Sequence, residues 1–164
     1  MAKTATYSLI QSQTISSSTA SVTFSSIPQT FTDLILVTRT FRSAAAVMKI
    51  NFNGDTATNY SEGHMQGDGT NDSCAGNSNI AYGIIDYASQ TTTPVMSVVN
   101  FLDYSNTTTF KTFLSRSGDS TNNVIAYVNL WRSSAAISSI VLALFSGTIS
   151  ADSTFKLYGI EAYT

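Results

Sequence analysis

Charge is what this chain has least of. Of its 164 residues, 8 are Lys or Arg and 10 are Asp or Glu, so 11% are charged where about 25% is usual. The cations, Lys3, Arg39, Arg42, Lys49, Lys111, Arg116, Arg132 and Lys156, are scattered, and the net charge is −2. No cluster could neutralise several phosphates together, which excludes nucleic acid as an expected partner. A single cysteine, Cys74, excludes an intrachain disulfide. One Cys and one His cannot supply the four N or S ligands of a structural zinc site. The longest apolar run, Ile140 to Phe145, is far short of the roughly 20 residues that cross a bilayer as a helix, so no membrane partner is expected. Met1 to Ser8 lack the apolar stretch of a secretion signal, which points to folding in a cytoplasm.

What replaces charge is hydroxyl. Ser and Thr together fill 48 positions, while the hydrophobic share is a near-normal 43% with 18 aromatics. Such a chain is too apolar to stay disordered. It is poor in Glu and Lys and rich in Ser, Thr, Val, Ile, Phe and Tyr, a composition that disfavours helices and favours strands. The expected class is all-β, and 164 residues fit one domain.

Period-2 alternation supports this reading. Met48, Ile50 and Phe52 face one way and Lys49, Asn51 and Asn53 the other, and Asn53-Gly54-Asp55 supplies residues that tolerate a tight turn. Similar patterns place strands over 7–15, 21–24, 33–41, 46–53, 80–88, 95–104, 110–116, 124–132, 139–145 and 154–163, about ten in all. Two of them, around Leu34-Ile35-Leu36-Val37 and Val124-Ile125-Ala126-Tyr127-Val128, are apolar on both faces, which predicts central strands with protein on each side. Pro28 and Pro94 sit at strand boundaries, where no ladder hydrogen bond is lost. The architecture that follows is a single-domain antiparallel β-sandwich of jelly-roll type over 1–164.

Residues 54–79 break the pattern. They contain Gly63, Gly67, Gly69 and Gly76, four acids, and only Tyr60 and Met65 as bulky apolar side chains, so a long Gly/Asn-rich loop is expected here. Tyr60, His64, Met65, Asp68 and Asp72 are its candidate contacts to neighbouring subunits, together with the polar N-terminal segment.

The search for chemistry returns little. His64 is the single histidine. Gly118-Asp119-Ser120-Thr121 is similar to the nucleophile block of GDS-type esterases, but those enzymes place a histidine near the C-terminus and none follows residue 64 here. Asp68-Gly69-Thr70-Asn71-Asp72 spaces oxygens like the start of a calcium loop, yet Ser73 stands where glycine is needed and Asn79 where an acid is needed. The acids are too few and dispersed for a glycosidase groove. Trp131 alternates with Ile125, Tyr127 and Asn129, which assigns it to the core. No catalytic residue, metal ligand or cofactor is assigned, and the chain reads as a non-enzyme.

Three stretches carry a resemblance. They are Tyr7-Ser8-Leu9-Ile10 leading through Ser21 to Thr30 into Asp33 to Val37, then Ile50-Asn51-Phe52-Asn53-Gly54-Asp55 with Asn59-Tyr60-Ser61, and Ser153 to Glu161. In this order the chain resembles jelly-roll structural proteins of tailed bacteriophage virions, notably those that decorate or cement capsids, including cyanophage examples. The resemblance implies a homotrimer on the capsid surface that binds the major capsid protein and stabilises the head. Related sandwiches occur in phage tail and head fibres, which leaves a receptor- or carbohydrate-binding module as the alternative.

Overall fold

The computed structural model describes residues 6–121 and 123–161. Twelve strands form: β1 (Tyr7–Thr14), β2 (Ser21–Phe24), β3 (Asp33–Thr40), β4 (Val47–Phe52), β5 (Tyr60–Gly67), β6 (Asp72–Ile80), β7 (Gly83–Tyr87), β8 (Val95–Phe101), β9 (Lys111–Asp119), β10 (Val124–Trp131), β11 (Ile140–Leu144) and β12 (Thr154–Ile160). The expected strand over 154–163 ends in part outside the described residues.

Every pairing is antiparallel. Eight strands make one sheet in the order β1-β12-β3-β8-β9-β10-β5-β6, and four make the other, β2-β11-β4-β7. The chain passes repeatedly from one sheet to the other, giving an antiparallel β-sandwich of jelly-roll type.

The core lies between the sheets. Val22, Phe24, Met48, Ile50, Phe52, Ile140 and Leu142 come from the small sheet, and Leu34, Leu36, Val99, Phe101, Phe113, Trp131, Phe155 and Leu157 from the large one. Phe52 is the hub of an aromatic cluster, with ring centroids 5.1 Å from Phe113, 5.2 Å from Trp131, 5.7 Å from Phe101 and 6.1 Å from Tyr60. Burial of rings at this density is the main force closing the sandwich. The Phe113 ring lies directly over the Gly83 Cα, where a Cβ would collide with it.

Buried charge is met in two ways: Lys111 Nζ donates to the Thr109 and Ser134 carbonyls at 2.8 and 3.4 Å, and Arg42 is ion-paired. Arg42 grips Asp86 with two bonds of 3.0 and 3.2 Å and also donates to the Ala46 carbonyl, while Ser97 Oγ donates to the same carboxylate. This buried network ties β7 of the small sheet to β8 of the large one.

The expected 54–79 loop is instead a hairpin. Only the Gly54 to Asn59 turn and the Asp68 to Asn71 tip are outside strands. The inward set of β5 is Tyr60, Glu62, His64 and Gln66, so a real period-2 alternation is hidden because three of its four inward residues are polar. Strand β6 is exposed at every position from Asp72 to Asn79, so burial left no pattern there, and its backbone ladder to β5 forms it. The segment 80–88 is also split, since Asn79 adopts a φ of 57° and the chain bends at Ala81 and Tyr82 before β7.

Candidate functional site

The eight-stranded sheet has two faces and the small sheet covers only one. Along β10, Ile125, Tyr127, Asn129 and Trp131 are buried, while Val124 and Val128 are 63% and 56% exposed. Register carries this division across the sheet. One outward row runs Lys156, Val37, Val98, Arg116, Ala126, Met65 and Cys74 from β12 to β6. The next runs Leu9, Tyr158, Ile35, Asn100, Leu114, Val128, Gly63 and Gly76.

The outcome is an apolar outer surface. Among the described residues eleven large hydrophobics are exposed, and nine of them, Tyr7, Leu9, Val37, Met65, Met96, Leu102, Leu114, Val124 and Val128, lie on this face. Apolar side chains scattered singly are ordinary, whereas a contiguous apolar face marks an interaction surface. Both-face apolarity in β3 and β10 predicts protein on each side, and the fold supplies it on one side only.

Arg116 is the polar centre of this face. Three shallow hollows, of about 640, 470 and 480 Å³, meet at its side chain. The largest is walled by Met65, Val124, Ala126 and Cys74 with Asp72 at its rim, and the second is lined by Tyr7, Ile35, Val98, Asn100 and Tyr158. Among the described residues the Arg116 guanidinium has no hydrogen-bond or ion-pair partner. Arginine in an apolar, charge-poor surround is a typical anchor of an interface.

The candidate contact residues are dispersed by the fold. Tyr60 is fully buried, its hydroxyl accepting the Phe52 N–H at 3.0 Å, so it is lost as a contact residue; burial pushes its phenol up to about 12. His64 points inward, its Nδ1 3.0 Å from Glu62 Oε2 and its ring against Tyr127. Glu62 is buried and also accepts from Asn77 Nδ2 at 2.5 Å. Met65 faces outward and is 65% exposed. Asp68 and Asp72 stand at the hairpin tip, Asp72 exposed and Asp68 half-buried. Asp68 Oδ1 accepts the N–H groups of Thr70 and Asn71 at 2.8 and 2.6 Å, and these bonds hold its carboxyl below the usual carboxylate range. The calcium-like spacing is thus occupied by a turn, and among the described residues no group of three potential ligands gathers.

The quoted motif residues also turn out to be architectural. Asn53 Oδ1 accepts the N–H groups of Ser138 and Ser139, and its φ of 53° makes the turn before Gly54. Asp55 accepts from Trp131 Nε1 at 2.7 Å and from Asn59 Nδ2 at 3.0 Å. Arg132 clasps Ser61, the Thr58 carbonyl and Asn79. Arg116, Met96 and Leu114 were invisible as site residues because no local motif marks them; the two-faced apolarity of β10 was the one usable signal.

No family model and no curated protein matches this chain. Among solved structures, the exo-inulinase of Aspergillus awamori is 15% identical with a TM-score of 0.40, over 95% of this chain and 29% of the enzyme. This chain therefore spans less than a third of that protein. The Caenorhabditis elegans galectin LEC-6 is 8% identical with a TM-score of 0.33, over 92% of this chain and 96% of the galectin. A toad ovary galectin, solved with thio-digalactose, is 12% identical with a TM-score of 0.31, over 84% and 98%. At such identities and scores these likenesses carry no functional information.

Proposed function

We propose that this protein is a non-enzymatic structural component of a phage virion, a homotrimeric cement or decoration protein that binds the major capsid lattice on the capsid surface. The observation that carries the reading is the outer face of the eight-stranded sheet: among the described residues, nine of eleven exposed large hydrophobics lie on this one surface, with Arg116 unpaired at its centre. Strand β6 adds an edge with no Pro and with no charge between Ser73 and Asn79, the protections that isolated sheets use against pairing. A surface of this kind suits a protein that works covered. Multivalent attachment to a repeating shell lets several modest contacts act together.

Native mass measurement, location of the protein in purified virions and binding to emptied capsids test the reading. A trimer that saturates capsid sites is expected; a stable monomer absent from particles overturns it. The second reading, a receptor- or carbohydrate-binding module of a tail or head fibre, is favoured by one feature. The side chains of Arg116, Asn100 and Tyr158 line one hollow and make no hydrogen bonds among the described residues, a set of donors that a sugar could use. Saturable binding on a glycan array without capsid affinity would select it.

A further inference from the structure

Two open sheets end in four edge strands, here β1 and β6 of one and β2 and β7 of the other, and an edge offers main-chain groups to any chain that can pair with it. Three of the four are guarded by the chain itself. Gln11 and Gln13 of β1 donate to the Ser25 and Thr23 carbonyls along β2, both at 2.6 Å, which stitches these two edges together. Strand β1 is also interrupted by a bulge between Leu9 and Gln11. On β7 the Asn129 side-chain amide takes both groups of Ile84, accepting its N–H at 3.0 Å and donating to its carbonyl at 2.9 Å. Strand β6 has no such cover among the described residues. It pairs with β5 alone, and every residue from Asp72 to Asn79 is exposed. The phase of its free groups follows from the hairpin tip, where the Asp68 N–H bonds to the Asn71 carbonyl. Beyond it the antiparallel ladder alternates, so Ser73, Ala75 and Asn77 bond to β5, and Asp72, Cys74, Gly76 and Ser78 aim N–H and C=O away from the sheet. The Arg132 N–H bond to the Asn59 carbonyl, on the far side of β5, gives the same phase.

We propose that β6 pairs antiparallel with β6 of a second copy about a two-fold axis at Ala75, joining two eight-stranded sheets into one. In this register the strand is complementary to itself. Asp72 falls opposite Ser78 of the second copy, Ser73 opposite Asn77, Cys74 opposite Gly76, and Ala75 opposite Ala75. Each Asp72 carboxylate meets a hydroxyl, and each Ser73 hydroxyl meets the Asn77 Oδ1, which has no partner among the described residues. The four outward residues all find partners, which gives about eight main-chain hydrogen bonds. Moving the axis to Cys74 sets Ser78 opposite the hairpin turn, and moving it to Gly76 sets Asp72 opposite Ile80, past the irregularity at Asn79. Charge selects the same occupant. Residues 73–79 carry none by which a foreign strand could be recognised. A second copy brings in only Asp72, and the two-fold keeps the two carboxylates roughly 20 Å apart, where a parallel pairing would set them side by side. A second copy also has no other open edge to offer, so the contact is isologous. The pairing goes beyond the capsid reading and does not depend on it, since it links chains in twos whatever contact makes the proposed trimer.

The test compares the full chain with Ala75→Lys and Ala75→Glu, alone and mixed, each checked for folding by circular dichroism and thermal unfolding. Position 75 is exposed. Either substitution alone sets like charges face to face on the axis, so native mass spectrometry and sedimentation should show self-association weakened on the order of tenfold or more. Mixing the two variants should restore it. Cross-linking reads the same register without added charge. In a Cys74→Ser background, Ala75→Cys should form an interchain disulfide under mild oxidation, because its Cα atoms pair at about 4.5 Å. Ser73→Cys in that background should not, its Cα atoms lying roughly 14 Å apart. An assembly whose mass neither charged variant moves overturns the pairing and leaves the capsid reading in place. A cross-link through Ser73→Cys and not Ala75→Cys does the same. A wild-type monomer that binds emptied capsids only while position 75 stays uncharged also overturns it, and makes a strand of the shell the occupant of this edge. A monomer that binds no capsid removes both readings.

Discussion

The two faces of the eight-stranded sheet are both rich in apolar side chains, yet only one is finished by the chain itself. On the inner face Phe52 and its ring neighbours pack against Leu34, Leu36 and Phe155, and the charges there are held: Arg42 with Asp86, Glu62 with His64 and Asn77, and Lys111 by the Thr109 and Ser134 carbonyls. On the outer face Val124, Val128, Met96 and Leu114 meet solvent, and the Arg116 guanidinium has no hydrogen-bond or ion-pair partner among the described residues. The difference separates residues that make the fold from residues available to a partner. Substitution on the inner face should be read in stability; substitution on the outer face should be read in association.

The sharpest break in that comparison is at the buried ion pair. Asp86→Ala strands the Arg42 guanidinium in the interior and removes the acceptor of Ser97. A loss of about 3–5 kcal/mol of unfolding free energy is expected, measured by urea denaturation as a lower midpoint with a similar slope. A loss as small as that of an outer-face substitution would mean that the pair is not shielded from water and that the two faces differ less than described.

Trp131→Phe probes a smaller effect, in which the ring packing survives and one hydrogen bond is lost. The Asp55 carboxylate loses the Trp131 Nε1–H at 2.7 Å and keeps Asn59 and the Ala57 N–H. The expected cost is about 1–3 kcal/mol. Burial raises the Asp55 pKa, and the three hydrogen bonds together outweigh it, so its net value lies below the ordinary 3.8. A carboxyl depressed in the folded state contributes stability that is present above the unfolded pKa and lost as pH falls through the folded one. Acid unfolding of the wild type should therefore steepen below about pH 4, and the variant should show a shallower fall. Identical acid profiles would sever Asp55 from this role.

Most of the inner face was legible in the sequence because burial writes a period of two. Met48, Ile50 and Phe52 declare β4, and Ile125, Tyr127 and Trp131 declare the inward side of β10. The hairpin β5–β6 was not legible. Its inward residues Glu62, His64 and Gln66 are polar because they satisfy one another or approach solvent, and β6 buries neither side. Strands held by backbone ladder alone leave no hydrophobic trace. The outer face was half legible: Val124, Ala126 and Val128 announced a second covered side, but only the sheet order shows that none of the described residues covers it. Arg116 could not be found locally, since its importance comes from neighbours on β3, β8, β10 and β5 that meet only after folding.

A titration separates the faces from the alkaline side. Tyr60 is fully buried, and burial first, with the nearby Asp55 charge, raises its phenol to about 12 from 10.0 against the bond from the Phe52 N–H. The folded state thus prefers the neutral phenol. Its contribution is complete below pH 10.0 and is lost as pH rises from there toward about 12. Tyr60→Phe should cost about 0.5–1.5 kcal/mol at neutral pH through the unpaired Phe52 N–H, and should lessen the alkaline loss. The ultraviolet signal of phenolate, followed through unfolding, checks this. Ionisation of Tyr60 near pH 10 in the folded protein would show that water reaches the inner face.

The smallest effect on folding is expected where the effect on assembly is largest. Val128→Thr keeps a β-branched side chain on a strand and changes a position that is 56% exposed. The change in unfolding free energy of the separated subunit should stay within about 0.5 kcal/mol, because the side chain there touches mostly water. If the outer face is covered in the working assembly, the same hydroxyl is buried in each interface and left without a designed acceptor, which weakens association by about 1–3 kcal/mol per contact. Thermal unfolding at dilution and sedimentation at high concentration read the two quantities separately. A large loss in both would place Val128 in the fold rather than the interface. No loss in either would mean that this part of the sheet stays wet, and the covered region would then shrink toward Arg116 and the hollow beside β5.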